Sequence, residues 1–97
     1  MYAVVGVWEM DPALRQAQTA ALERIVPGVA QLPGVINGYW SDFADPGRSH
    51  TFIVFETRDA AESFAAEVRG NAENQSSSGV RYLSLELLEI QAALDPG

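Results

Sequence analysis

The chain has 97 residues, 47% of them hydrophobic, and a formal net charge of -7. It contains no cysteine and no lysine; its six basic residues are all arginines, and His50 is its single histidine. That length fits one small domain with one core. The missing cysteines exclude disulfides, thiolate nucleophiles and cysteine-held zinc or iron–sulfur clusters. The missing lysines exclude Schiff-base chemistry and a Walker-type phosphate loop. A lone histidine excludes a metal site built on paired histidines within one chain, and the acidic balance argues against nucleic acid and anionic membrane surfaces as partners. The apolar run 2–8 is too short to span a membrane, and acidic residues rather than a basic flank adjoin it, so the expected location is the cytoplasm.

Tyr2 to Met10 reads as a strand rich in β-branched and aromatic residues. Asp11-Pro12 then opens a helix, with Asp11 as its cap. Leu14, Ala17, Ala21, Leu22, Ile25 and Val29 recur at helical spacing and form one apolar stripe. Pro27-Gly28 is expected to kink or end this helix, and Pro33-Gly34 ends it in any case. Val35 to Asp42 reads as a second strand and His50 to Glu56 as a third. Asp45-Pro46-Gly47-Arg48 suits a type II turn joining them in a hairpin. A second helix is expected from Asp59, with Asp59 and Glu62 as a capping pair, a buried face of Ala61, Phe64, Ala65 and Val68, and Gly70 as its C-terminal cap. Residues 71–79 read as a polar loop, Val80 to Ile90 as the last strand, and 91–97 as a frayed tail.

The order β-α-β-β-α-β is the ferredoxin-like split motif: one four-stranded antiparallel sheet with both helices on one face, in a single α+β domain over residues 1–97. The first and third strands, central in that topology, are apolar on both faces: Val4 and Trp8 against Val5 and Val7, Ile53 and Phe55 against Phe52 and Val54. Two helices cover one face only. The other would expose several hundred Å² of apolar surface. The expected partner is therefore a second copy, sheet against sheet, in a dimeric barrel.

Several runs carry a further signal: Leu32-Pro33-Gly34-Val35, Gly38-Tyr39-Trp40, Asp45-Pro46, Phe52 to Thr57 and Asp59-Ala60-Ala61. Together they resemble the antibiotic-biosynthesis monooxygenase type of the dimeric α/β-barrel superfamily, over nearly the whole chain. The resemblance implies a cofactor-independent monooxygenase acting on a small aromatic or quinol-like substrate. The alternative is a non-catalytic dimeric barrel that binds a small apolar ligand or serves as a dimerisation module. Haem-degrading relatives carry a histidine on or just after the second helix; Phe64 to Asn74 holds none, so no haem and no other cofactor is expected. The aromatic ending the third strand, often Trp in that family, is Phe55 here.

Chemistry of this kind needs a dry apolar pocket, between sheet and helices or inside the barrel, and a group that helps deprotonate a phenol. By elimination His50 is the expected general base, since it alone has an ordinary pKa near neutrality. Trp8, Tyr39, Trp40, Phe43, Phe52 and Tyr82 are the candidate aromatic walls. Asn37 and Asn71, with Arg69 and Arg81, are candidate groups to orient an oxygen anion. Each has a plainer alternative: His50 as a solvated strand residue, the aromatics as core, Asn71 as a loop residue, and Arg81 in a cross-strand ion pair with Glu56 or Glu86. Glu9, Asp11, Asp42 and Asp45 fix no metal geometry, and no metal is expected.

Overall fold

The computed structural model describes residues 1–42 and 47–94. Its elements follow in the order β1 (Tyr2–Met10), a 3-10 turn (Pro12–Leu14), α1 (Arg15–Ala30), β2 (Val35–Asp42), β3 (Arg48–Phe55), α2 (Arg58–Gly70), α3 (Ala72–Ser77) and β4 (Val80–Glu89). The four strands form one antiparallel sheet in the order β2-β3-β1-β4, so the doubly apolar strands are the central pair. This is the ferredoxin-like β-α-β-β-α-β fold.

Register assigns every strand residue to a face, because neighbouring residues point to opposite sides. Val4 pairs with Ile53 and Leu87, and Tyr2 with Phe55 and Glu89. Val4, Ile53 and Phe55 meet Val29 of α1 and Ala61 and Ala65 of α2 in the buried core. Both long helices therefore cover this face. The small alanines let α2 lie close to the sheet. The alternate residues, Ala3, Val5 and Val7 of β1 with His50, Phe52 and Val54 of β3, make the opposite, open face. Tyr39 stays 63% exposed there and Leu88 42%.

Several local details depart from the sequence expectations. Asp11 does cap, accepting from the Ala13 N–H, but the first turn it opens is 3-10 and the α-helix begins at Arg15. Helix α1 neither kinks to a stop nor ends at Pro27-Gly28; it runs to Ala30. Pro27 removes one bond to the Glu23 carbonyl, and both residues lie on the exposed side of the helix, where water can serve that carbonyl. Of the expected α1 stripe only Val29 is fully buried; Leu14, Leu22 and Ile25 remain more than a third exposed. The cap of α2 is Thr57, not Asp59. Its extended backbone (φ -122°, ψ 155°) lets its hydroxyl accept from the Ala60 N–H, and Asp59 falls in the first turn, where its charge suits the helix dipole. Gly70 ends α2 without a positive φ, because α3 follows at once where a loop was expected. In the β2–β3 turn Gly47 has the positive φ (91°) a type II turn demands, while Asp45 and Pro46 lie outside the described residues. Among the described residues no helix is long and apolar enough to cross a membrane.

Candidate functional site

 Two cavities bear on the site. The smaller, about 310 Å³, lies between the α1–β2 connection and α2; the larger, about 440 Å³, is a groove where the end of β1 meets the start of β4.

The smaller cavity follows from local chemistry. Helix α1 ends in a turn in which the Leu32 N–H donates to the Val29 carbonyl (3.0 Å). Gly34 then takes a φ of 78°, open to glycine at little strain, and its carbonyl accepts from the Glu56 N–H (2.7 Å). That bond holds the Leu32-Pro33-Gly34 segment beside the end of β3 and the start of α2. Phe55, the last residue of β3, is buried below, and the Phe64 ring packs on it at 5.3 Å, tilted by 40°. Leu32, Pro33, Phe55, Ala60 and Phe64 give the cavity its apolar lining, and Asp59, Ser63 and Glu67 its polar side.

Spacing along α2 explains that division. Asp59, Ser63 and Glu67 are four residues apart and share one stripe; Ala60 and Phe64 form the next stripe, nearer the sheet. Arg58 and Glu62 pair at 2.8 Å on the opposite flank, and the Glu62 carboxylate raises the Arg58 pKa through that hydrogen bond and its charge. The other ion pairs between described residues are Arg15–Asp42 and Arg81–Glu9, all between exposed side chains. No described basic side chain pairs with Asp59 or Glu67. The larger groove differs: no aromatic lines it, and the charges of Glu9 and Arg81 in its wall are paired at 3.0 Å.

The expected site residues do not assemble into one pocket. Trp8, Trp40 and Tyr82 lie on the helix-bearing face. There the Trp8 Nε1–H donates to Thr51 Oγ1 (3.1 Å), and the Trp8 and Tyr82 rings meet edge to face at 6.2 Å. A one-residue bulge in β4 at Leu83 puts Tyr82 on the same side as Trp8. Trp40 packs against the core. His50, Asn37, Tyr39 and Phe52 lie on the open face, since His50 pairs with Val7 and Ser41, Phe52 with Val5 and Tyr39, and Asn37 with Val54. The sheet thus separates His50 from Trp8, Trp40 and Tyr82. Asn71 sits at the α2–α3 junction, its Oδ1 accepting from Asn74 Nδ2 (2.7 Å). Phe43 lies outside the described residues. Arg81 pairs across the β1–β4 ladder with Glu9 rather than Glu56 or Glu86, and Arg69 donates to the Leu85 carbonyl. Among the described residues no group of three or more His, Asp or Glu could hold a metal ion.

None of the expected site residues lines the smaller cavity, and its lining was missed as a site. A signal was present: Leu32-Pro33, Phe55 and Asp59-Ala60 are among the residues that carry the family resemblance, and the fold gathers them around one space.

Comparison with known proteins supports the fold. The chain is similar over 98% of its length to a Deinococcus radiodurans protein named as a candidate antibiotic biosynthesis monooxygenase, with a TM-score of 0.80, 16% identity and 97% of that chain covered. It is similar to the ActVA-Orf6 monooxygenase of Streptomyces coelicolor, solved with nanaomycin D, at a TM-score of 0.67 and 16% identity, covering 99% of this chain and 92% of that one. Rv0793 from Mycobacterium tuberculosis matches at a TM-score of 0.70 and 22% identity, over 97% and 95% of the two chains. No protein-family model and no curated protein matches the chain. The class defined here is therefore a ferredoxin-like α+β domain with the fold of antibiotic biosynthesis monooxygenase structures.

Proposed function

We propose that the protein is a monooxygenase that acts on a small hydroxylated aromatic, quinol-like substrate without a metal or organic cofactor, and that the cavity between Leu32-Pro33 and α2 holds the ring. The observation that carries this reading is the pairing of an apolar, Phe-lined floor with a carboxylate side. In this reading a flat ring lies against Phe64 and Pro33, and Asp59 or Glu67 accepts a hydrogen bond from a phenolic O–H. That bond draws the proton away from the ring oxygen and enriches the ring in electrons. The ring then reduces dioxygen itself. One oxygen atom forms a bond to a ring carbon, that carbon loses its hydrogen, and the second oxygen leaves as water, so that phenol and dioxygen give quinone and water. Oxygen uptake with a panel of hydroxynaphthalenes and hydroquinones tests the reading. Enzyme-dependent uptake is expected with one atom of labelled dioxygen in each product, a quinone from a hydroxynaphthalene and a hydroxyquinone from a hydroquinone, and uptake no faster than autoxidation across the panel refutes it.

A second reading, a barrel that binds a small apolar ligand without turnover, draws on a specific feature. The titratable groups of the cavity are two exposed carboxylates, and His50 stands across the sheet. Under that reading the same rings bind and no oxygen is consumed.

The open face supports a second copy of the chain as partner. Val5, Val7, Phe52, Leu88 and Tyr39 form its apolar surface, and a facing sheet would cover them. In such a dimer His50 lies at the seam, and it acts as a base only for a substrate held between the two sheets.

A further inference from the structure

We infer that the ring taken by the cavity carries a protonated amine, so that the preferred ligand is an aralkylammonium rather than an aromatic acid. This deepens the reading above and rests on the cavity being the binding site, though not on the oxygenation. Asp59 and Glu67 stand two helical turns apart on the cavity side of α2, with Ser63 between them. A cation above Ser63 is about 6 Å of helix rise from each carboxylate. The arginine on the same helix turn as Asp59, Arg58, is held by Glu62 on the far flank at 2.8 Å, and no described basic group neutralises Asp59 or Glu67. The two carboxylates therefore line the cavity with no described arginine paired to either, in a chain whose net charge is -7. The Phe64 ring, packed on Phe55, adds an aromatic face within reach of a cation. A neutral phenol satisfies one carboxylate lone pair. An ammonium on a short chain draws on both carboxylates and the ring, while an aromatic carboxylate meets only repulsion there.

The test uses three probes of similar size: phenethylammonium, 2-phenylethanol and phenylacetate. Binding is read from backbone amide shifts at Ala60, Ser63 and Phe64 at low salt, so that it reports on the cavity whether or not the protein turns anything over. Phenethylammonium is expected to bind roughly tenfold more tightly than phenylacetate, since each exposed charge pair contributes modestly and two act together. The gap should shrink as salt is raised. Glu67→Gln should narrow it about threefold, and Glu73→Gln, which removes the same charge from α3 away from the cavity, should leave it unchanged. Equal binding of phenethylammonium and phenylacetate, or an equal effect of the two substitutions, overturns the inference while leaving the cavity as the site. Shifts that map away from α2 for every probe overturn the site itself.

Discussion

At the scale of single residues, Phe55 is the described aromatic that is fully buried. It is buried at the end of a central strand, belongs to the core cluster and forms the cavity floor under Phe64. Phe55→Ala is expected to destabilise the fold by about 3–5 kcal/mol, the usual range for deleting a buried ring, as measured by urea denaturation. Gly79 is constrained in another way. Its φ is 71°, and a Cβ there would stand 2.8 Å from both the Asp11 Cβ and the Leu14 Cδ1. Gly79→Ala should therefore cost about 1–3 kcal/mol, from the strained backbone and the contact together. A melting temperature equal to that of the parent would show that the β4 turn relaxes freely.

At the scale of elements, α1 is held at its two ends. Gln18 is 7% exposed, and its Nε2 donates to the carbonyls of Asp11 (2.8 Å) and Ser78 (3.1 Å), clipping the helix to the turn before β4. Val29 anchors the other end in the core. Ile25 points to the same side as both, seven residues from Gln18 and four from Val29, yet remains 45% exposed. Gln18→Leu keeps the bulk but removes both bonds and strands the Ser78 carbonyl, while the Asp11 carbonyl keeps the Leu14 N–H, so a loss of about 1–3 kcal/mol is expected, with faster amide exchange in the first turns of α1 than in α2. Unchanged stability would show that water takes over the bond to Ser78. These features also explain what was legible in the sequence. The strand bounds 2–10 and 35–42 follow from β-branched runs ended by Asp-Pro or opened by Pro-Gly. Helix α3 was not legible, because 72–77 has no apolar period. Beside its backbone bonds, side chains tie it down: Gln75 Nε2 donates to the Val68 carbonyl and Ser77 Oγ to the Asn74 carbonyl. Gln18 reads as a polar gap in an apolar stripe, and only the folded chain brings Ser78 to it.

At the scale of the whole molecule, the sheet has two apolar faces, and the helices cover one of them. Alternation along two central strands sufficed to predict them, and the core and helices occupy one face as expected. The site was harder to read, because titratability and aromaticity drew attention to His50, Trp8 and Trp40. The cavity instead arises where the end of one strand, one loop and one helix flank converge, a juxtaposition set by tertiary structure. The open face leads to an expected mass of two chains in light scattering at micromolar concentration, and Phe52→Asp should yield single chains. A wild-type mass of one chain would mean that the face is left uncovered. The central claim, that the cavity between Leu32-Pro33 and α2 is the working site, is tested most directly by filling it. Ala60 lies half-buried in its lining, so Ala60→Phe should occupy the space the substrate needs. The measurement is oxygen uptake with the best hydroquinone of the panel, made on Ala60→Phe and His50→Ala beside the parent, with circular dichroism to confirm the fold. The expected result is at least a tenfold loss for Ala60→Phe and a rate within about twofold of the parent for His50→Ala, a difference of more than about 1 kcal/mol in transition-state stabilisation. A folded Ala60→Phe protein with parental turnover, together with an inactive His50→Ala protein, would contradict the account and move the chemistry to the other face of the sheet.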